Sequence, residues 1–248
     1  MISNSVSLSE LDTARFGVVS ARAKLVTSDV IPEIDSFCAE NSVRFLIARC
    51  STSDIKTVHA MEANGYQLMD TLVYLRKDVE DYIPPAYPSE LSIHALTPGD
   101  IPEVIKVAEE SFSAYKGHYH ADPRLDPVKA TEVYSSWAER CCTDPTAANH
   151  VLVAKLDGEL VGFRAIRINT SEQAEFILAG VASGMRRRGI YRAFVIEGLN
   201  WCKVVGVTHV LNSTLLINTT VQKVCTSLGF YAFESYHTFH KWFGKVVV

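Results

Sequence analysis

The sequence predicts an α/β (α+β) fold with a mixed, mostly antiparallel central sheet flanked by helices, and a smaller N-terminal α/β half-domain. Two observations predict it. Apolar runs of strand length alternate with segments of helical period throughout the 248 residues. Near the middle, the runs at 151–155 and 159–165 flank Asp157-Gly158, which is typical of a β-hairpin.

The first 83 residues have the pattern of a small α/β unit. Partial alternation predicts a strand over 16–23, and Ile31, Ile34 and Phe37 recur at helical spacing. A second helix is expected from Asp54 to Ala63, with Ser53 or Asp54 as its N-cap and Gly65 after its end. Short apolar runs at 43–48 and 66–75 complete the unit as strands.

The second half repeats the end of this pattern. A helix starting at Asn218 is followed by Gly229-Phe230, as the helix from Asp54 is followed by Gly65-Tyr66, and both intervals are 11 residues (65 − 54 = 229 − 218). Chance remains the alternative, because the pattern is common. Prolines at 84, 85 and 88 indicate a linker. The predicted domains are therefore 1–83, a degenerate half-domain, and 91–248, a catalytic domain, joined by residues 84–90.

The stretch from Glu175 to Trp201 is the strongest functional signal. A buried strand through Val181 is followed by small residues, then by Arg186, Arg187, Arg188 and Gly189, and then by an amphipathic helix. The first N–H groups of a helix lack intrahelical partners and, with the helix dipole, attract anions. A phosphate or pyrophosphate is the expected ligand, and a solvated basic turn is the alternative. The Walker A and dinucleotide-binding motifs are both absent.

Bulk composition narrows the function classes. A net charge of −4 argues against a nucleic-acid binder. The six cysteines form no Cys-x-x-Cys pair and no spacing typical of a zinc site, so we expect a cytoplasmic protein without metal. No apolar run approaches the length of a membrane span.

Two motifs resemble the GNAT superfamily of acyl-CoA N-acyltransferases. Arg186-x-x-Gly189 after a strand is similar to the Arg/Gln-x-x-Gly-x-Gly/Ala motif of that family, except that Tyr191 replaces the last small residue. Downstream, Asn218, Cys225 and Gly229-Phe230 stand at positions of a second family signature, with Cys225 where many members have tyrosine. The resemblance implies a GNAT fold, acetyl-CoA as co-substrate and direct transfer to a primary amine.

The resemblance also implies roles for single residues. Backbone groups of the strand end and the basic turn would bind acetyl-CoA, and Asn218 marks the second motif; the cofactor-binding candidates are Ala179, Gly180, Val181, Arg186, Arg187, Arg188, Gly189, Ile190, Tyr191 and Asn218. Cys225 stands at the place of the acid that protonates the leaving thiolate, and a buried apolar role is its alternative. Tyr191, Tyr231, Tyr236 or water could supply that proton instead.

The acceptor amine must lose a proton, and Glu175 and His120 are the candidate bases. The segment from Ser111 to the helix expected from about Pro127 is rich in Tyr, His and Asp. In the family it corresponds to the acceptor pocket, with Tyr119, His120 and Asp122 as substrate residues; a polar capping loop is the alternative. His118 and His120 lack a third metal ligand.

Over its whole length the chain resembles the TDP-fucosamine acetyltransferase type of GNAT protein. The shared features are Phe16-Gly17-Val18, Gly65-Tyr66 and Leu199-Asn200-Trp201. The implied acceptor is a nucleotide-linked amino deoxysugar, and a homodimer is a candidate assembly. Two alternatives stay open: a GNAT enzyme for another small amine, such as an amino acid, polyamine or antibiotic, and a non-catalytic acyl-CoA-binding protein.

Overall fold

The computed structural model describes residues 6–244, which form two compact units. Unit 1 holds residues 6–73, 116–130 and 234–244, and unit 2 holds 74–115 and 131–233. The predicted division into 1–83, a linker and 91–248 stays a prediction.

Unit 1 combines short helices with strands of mixed direction. Its strands are β1 (Val6–Leu8), β2 (Ser20–Ala23), β3 (Phe45–Ser51), the first part of β4 (Gln67–Asp78) and most of β10 (Tyr231–Trp242). Strands β2 and β3 run parallel, whereas β1–β2 and β3–β10 are antiparallel. Its helices are α1 (Glu10–Phe16), α2 (Ile31–Glu40), α3 (Ile55–Ala63) and α5 (His118–Ala121). The apolar side chains of α2, β3 and β10 form its core around Ile34, Leu46 and Phe239.

Unit 2 contains the predicted hairpin and the strand that follows it. Its strands β9 (His209–Leu215), β8 (Gln173–Val181), β7 (Glu159–Ile168), β6 (His150–Leu156) and β5 (Ser92–Ala95) lie side by side in that order. All neighbouring pairs are antiparallel except β8–β9, which is parallel. Asp157 and Gly158 both have positive φ, 52° and 84°, as a tight hairpin turn requires.

Helices cover both faces of the unit 2 strands. On one face, α4 (Ile101–Phe112) and α6 (Pro127–Thr143) pack Val107, Phe112 and Tyr134 against Phe163 and Ile177. On the other face, α7 (Ile190–Val204) approaches β7 and β8 closely, and α8 (Thr219–Ser227) contacts α7. The predicted mixed, mostly antiparallel sheet flanked by helices is confirmed.

The sequence predicted the bounds of most helices and strands to within a few residues, with two differences. The strand expected over 16–23 is wrong at its start: Phe16 ends α1, and β2 begins at Ser20. The missed signal is Ser9, which caps α1 by accepting a hydrogen bond from the Asp12 N–H. The loop before α6 also contains one helical turn, α5.

The two helices that precede Gly65 and Gly229 are capped in the same way. Asp54 caps α3 by accepting from the Thr57 N–H, and Asn218 caps α8 by accepting from the Val221 N–H. Gly65 and Gly229, which follow the two helices, have φ of 79° and 84°. The half-repeat itself stays a prediction.

Gly198 sets how closely α7 approaches the sheet, because a Cβ there would lie 2.7 Å from Cζ of Phe176. We expect Gly198→Ala to lower the free energy of unfolding by about 1–3 kcal/mol through overpacking. Denaturant titration followed by circular dichroism measures the change. Gly184→Ala is the control, since nothing lies within 4 Å of its added Cβ. Equal losses in both variants would contradict the close packing.

Candidate functional site

The turn between β8 and α7 presents unpaired backbone donors. Gly189 is the N-cap of α7, has a left-handed φ of 79° and provides no side-chain capping hydrogen bond. The N–H groups of the first helical turn therefore lack an acceptor from a capping side chain. Arg187 also has a positive φ, 66°, which is uncommon for a residue with a Cβ. These features fit an anion such as pyrophosphate.

Contacts with α4 fix this turn in place. Ser183 donates its backbone N–H to the Glu110 carboxylate at 2.7 Å, and Arg186 donates to the Ser111 carbonyl at 3.2 Å. Ser111 Oγ donates to the carbonyl of Val181 at 3.0 Å. Arg188 lines an open pocket of about 450 Å³ together with Leu91 and Leu156. The turn is thus held at its base while Arg187 and Arg188 add positive charge.

Strand β8 is paired with β9 along only part of its length. The parallel register extends from Gln173↔His209 to Phe176↔Asn212, and in the described part of the chain no pair joins the two strands beyond that point. The backbone edge from Ile177 to Val181 is therefore open on this side. It is about 16 Å long at a rise of ~3.3 Å per residue, and it leads from the basic turn to Asn212.

Four polar side chains meet where the strands diverge. Asn212 Nδ2 lies 3.3 Å from the Tyr191 hydroxyl, which accepts, and 3.1 Å from Cys225 Sγ. The Arg164 guanidinium lies over the Tyr191 ring, with Cζ 4.8 Å from the ring centroid. These residues come from β9, α7, α8 and β7, so the structure brings together Tyr191 and Cys225, two of the three predicted catalytic residues.

Burial keeps both proton donors of this cluster protonated. It raises the pKa of Tyr191, although the positive charge of Arg164 and the hydrogen bonds from Arg164 and Asn212 oppose this effect. Burial likewise raises the pKa of the Cys225 thiol, against the charge of Arg164 and hydrogen bonds from Tyr191 and Asn212. Both side chains are therefore neutral near pH 7 and able to donate a proton.

The third candidate, Glu175, lies in the paired part of β8. Its Oε2 accepts hydrogen bonds from Arg167 at 2.8 Å and from Asn169 at 3.1 Å. Six residues of strand, about 20 Å, separate it from Val181. Asn218, a cofactor-binding candidate, is the N-cap of α8. The remaining cofactor-binding candidates lie on the open edge or in the turn.

The loop residues predicted to bind substrate belong to unit 1, and two of them are buried there. Asp122 accepts hydrogen bonds from His240 Nδ1 at 2.9 Å, Trp242 Nε1 at 2.8 Å and Arg124 Nε at 2.7 Å. His118 Nδ1 lies 2.9 Å from His240 Nε2, which makes a buried His118–His240–Asp122 chain.

Tyr119 belongs to a second buried group in unit 1. Its hydroxyl donates to Asp12 Oδ1 at 2.8 Å, and Asp12 also binds the Nε and Nη2 of Arg22 at 2.6 Å and 3.0 Å. His120, by contrast, is half-buried at the end of α5. In residues 6–244 no group of three or more His, Cys, Asp or Glu is arranged to hold a metal ion.

Three side chains of these polar clusters were not singled out from the sequence: Arg164, Asn212 and His240. Arg164 interrupts the apolar run Val161–Ile166, and that interruption is the signal that could have found it. Asn212 begins the polar stretch Asn212–Thr214 and has no such signal. His240 is the third partner that His118 lacked in sequence, and it lies 122 residues away.

Comparisons with known proteins bear on this site. Residues 108–230 match the model of the acetyltransferase (GNAT) family. Residues 108–230 thus have the sequence of a GNAT acetyltransferase domain. The GCN5-related N-acetyltransferase from Sphaerobacter thermophilus shares the fold, with a TM-score of 0.66 and 18% identity, covering 96% of this chain and 76% of that one. The corresponding protein from Kribbella flavida has a TM-score of 0.66 and 13% identity, covering 98% and 89%.

A curated relative is the spore coat polysaccharide biosynthesis protein SpsD of Bacillus subtilis (strain 168). It is 23% identical over 205 residues, which cover 81% of this chain and 68% of that protein. The prediction of a GNAT-type acetyltransferase is confirmed, whereas the TDP-fucosamine type and the site residues stay predictions. Among the described residues, no helix has the length and apolar character needed to cross a membrane.

The histidine chain of unit 1 predicts a pH-dependent stability. Burial lowers the pKa of His118, and the positive charge of His240 adds to the effect. Burial also lowers the pKa of His240, although Asp122 opposes it. Other charged groups acting on the pair are Arg22, Arg49, Asp70, His120 and Arg124.

Because both pKa values are below those of the unfolded chain, the unfolded state binds more protons below about pH 6.5. We expect the free energy of unfolding to be constant above pH 7.5 and to fall below pH 6.5 by up to ~1.4 kcal/mol per pH unit for each histidine. Denaturant titrations between pH 5 and 8 measure this slope. His118→Gln should reduce it, and His59→Gln, an exposed change on α3, should not; an unchanged slope in His118→Gln would refute the assignment.

Proposed function

We propose that the protein transfers an acetyl group from acetyl-CoA to the amino group of a nucleotide-linked amino deoxysugar, by direct attack within a ternary complex. The observation that supports this most is the uncapped helix N-terminus beside the open edge of β8. The Bacillus subtilis relative is named as a polysaccharide biosynthesis protein, which supports a sugar acceptor.

The donor would bind through backbone groups. N–H groups from Arg187 to Tyr191 would hold the pyrophosphate, because the first turn of α7 has no side-chain cap. The pantetheine arm would extend the sheet along the open edge, where Ala179, Gly180 and Val181 provide main-chain groups. An oriented N–H on this edge would also stabilise the oxyanion formed when the amine attacks the thioester carbonyl.

The acceptor amine must be neutral when it forms the new C–N bond. Glu175 is our candidate base: Arg167 and Asn169 hold Oε2, and the carboxylate has a second oxygen for the amine proton or for a bridging water. His120 stays the alternative base, and with Tyr119 and Asp122 it belongs to the loop proposed to recognise the acceptor. Since Tyr119 and Asp122 are already paired inside unit 1, their effect on the acceptor would be to position this loop.

The leaving group needs a proton as the C–S bond breaks. Tyr191 is our candidate acid, because its phenol is protonated at neutral pH and Arg164 lies 4.8 Å from its ring, where the charge stabilises the phenolate that remains after donation. Cys225 would orient the cluster through Asn212, whose Nδ2 lies 3.1 Å from its Sγ.

Paired variants at Gly189 test donor binding. Asp and Asn both tolerate a positive φ and have nearly the same shape, but only Asp places a carboxylate at the phosphate position. By isothermal titration, Gly189→Asp should bind acetyl-CoA ~30- to 150-fold more weakly than Gly189→Asn, which corresponds to about 2–3 kcal/mol of repulsion and competing N-cap bonds. Equal affinities of the two variants would remove pyrophosphate from this turn. No binding of acetyl-CoA by the unmodified protein would reject the proposed function.

Single changes at the cluster test the acid. We expect Tyr191→Phe to lower kcat by about 10- to 100-fold at pH 7 with little change in the KM for acetyl-CoA, because general acid catalysis is lost while binding is kept. Cys225→Ala should lower kcat by less than about 3-fold. Initial rates with a panel of nucleotide-linked amino sugars, followed by release of free thiol, provide the measurement. The reverse order of effects would assign the proton to Cys225.

A further inference from the structure

An open pocket of unit 2 borders the turn that precedes α7. Its volume is about 450 Å³, within the range of about 300–1,000 Å³ that is typical of small-molecule sites. Leu91 and Leu156, which are 6% and 8% exposed, provide its apolar surface. The exposed side chains of Glu90, Asp157 and Arg188 provide its charged surface. The acyl transfer proposed above does not use this pocket.

The three charged side chains of the pocket are not paired with one another. In the described part of the chain, Glu90, Asp157 and Arg188 form no salt bridge and no side-chain hydrogen bond. A ligand in the pocket would therefore meet two carboxylate acceptors, one guanidinium donor and apolar surface. A flat heterocycle that has an exocyclic amine and is linked to a phosphate has the complementary groups, because the amine donates to carboxylates and a phosphate pairs with a guanidinium.

The proline-containing segment before β5 is attached to α7 and ends at this pocket. Near the last turn of α7, Lys203 Nζ donates to the Tyr82 carbonyl at 2.9 Å. At the other end of the helix, Cγ of Pro88 lies 3.7 Å from the position that a Cβ on Gly189 would occupy. Leu91 donates its backbone N–H to the Pro88 carbonyl at 3.2 Å. The segment thus follows α7 to its N-cap and then forms one wall of the pocket.

The pocket and the open edge of β8 lie on opposite sides of that strand. Gly162, near the start of β7, pairs with Val181 at the end of β8, so the β6–β7 hairpin turn and the basic turn lie at the same end of the strands. Strand β6 lies on the β7 side of β8, whereas the open edge is on the β9 side. A donor with its pyrophosphate at the turn and its pantetheine on the open edge still has a nucleoside to place, and Arg188 belongs to both the turn and the pocket.

We propose that the pocket binds the adenine of acetyl-CoA. Leu91 and Leu156 would contact the ring, the exocyclic amine would donate to the Glu90 and Asp157 carboxylates, and Arg188 would pair with the phosphate on the ribose. This inference rests on the proposed binding of acetyl-CoA and adds a nucleoside site to it. The proposed acceptor also carries a nucleotide, and a base with an exocyclic amine would offer the pocket the same chemistry, so the experiment separates the two sources.

The test compares two donors that differ in one group. In the deamino analogue of acetyl-CoA an oxygen replaces the exocyclic amine, so an acceptor would face the two carboxylates. By isothermal titration the unmodified protein should bind acetyl-CoA about 5- to 20-fold more tightly than the analogue. In the double variant Glu90→Gln, Asp157→Asn the ratio should fall to about 1 or below, because an amide can donate to that oxygen.

Two controls accompany the double variant. Asparagine before Gly158 keeps a sequence that suits the hairpin turn, and thermal melts establish that each variant is folded. Glu159→Gln removes an exposed carboxylate of the same hairpin that does not line the pocket, so this variant should keep the ratio of the unmodified protein.

Each outcome separates the claims. A ratio near 1 in the unmodified protein, or a ratio that the double variant leaves unchanged, overturns the inference while binding of acetyl-CoA keeps the proposed function intact. Cytidine and uridine diphosphates differ by the same exchange of amine for oxygen. A preference for cytidine diphosphate that the double variant loses, beside a donor ratio near 1, would overturn the assignment to the donor and give the pocket to the acceptor. No binding of acetyl-CoA would instead reject the proposed function.

Discussion

The short parallel ladder between β8 and β9 is the constraint on which the candidate site depends. Only four residue pairs join these strands, from Gln173↔His209 to Phe176↔Asn212. Were the ladder continued, the backbone groups of 177–181 would bond to β9 and none would remain for a ligand. Because the strands diverge, β8 is paired with β7 along one edge, and its other edge is open from residue 177 to 181. The side chains at the point of divergence close one end of the candidate site.

The same constraint explains why the polar cluster lies where it does. Asn212 is the last residue of β9 that pairs with β8, and its Nδ2 contacts both Tyr191 of α7 and Cys225 of α8. Arg164 lies one strand further into the sheet and is covered by Phe176 and Tyr191. Because these groups are buried, electrostatic effects among them are stronger than in water, which would suit charge stabilisation during the proposed acyl transfer.

Sequence reasoning succeeded where the determinants are local. The hairpin at Asp157-Gly158, the cap at Asp54 and the turn before Ile190 depend on residues within a few positions of one another, so spacing and residue type suffice. It failed where partners are distant. The sequence did not indicate that His240 lies beside His118, because the register of β10 is not encoded near residue 118. Arg164 was assigned to an apolar strand, because its contact with Tyr191 of α7 is not encoded in the β7 segment.

The two residues that depart from the GNAT motifs contact the same side chain in the structure. The resemblance implies a small residue at position 191 and a tyrosine at 225, whereas this chain has Tyr191 and Cys225. Both side chains contact the same Asn212 amide. Under the proposed function, the phenol of Tyr191 on α7 would therefore take the role that the resemblance gives to a tyrosine on α8. A tyrosine on α7 also places its ring against the Arg164 guanidinium, so a buried positive charge lies beside the phenol.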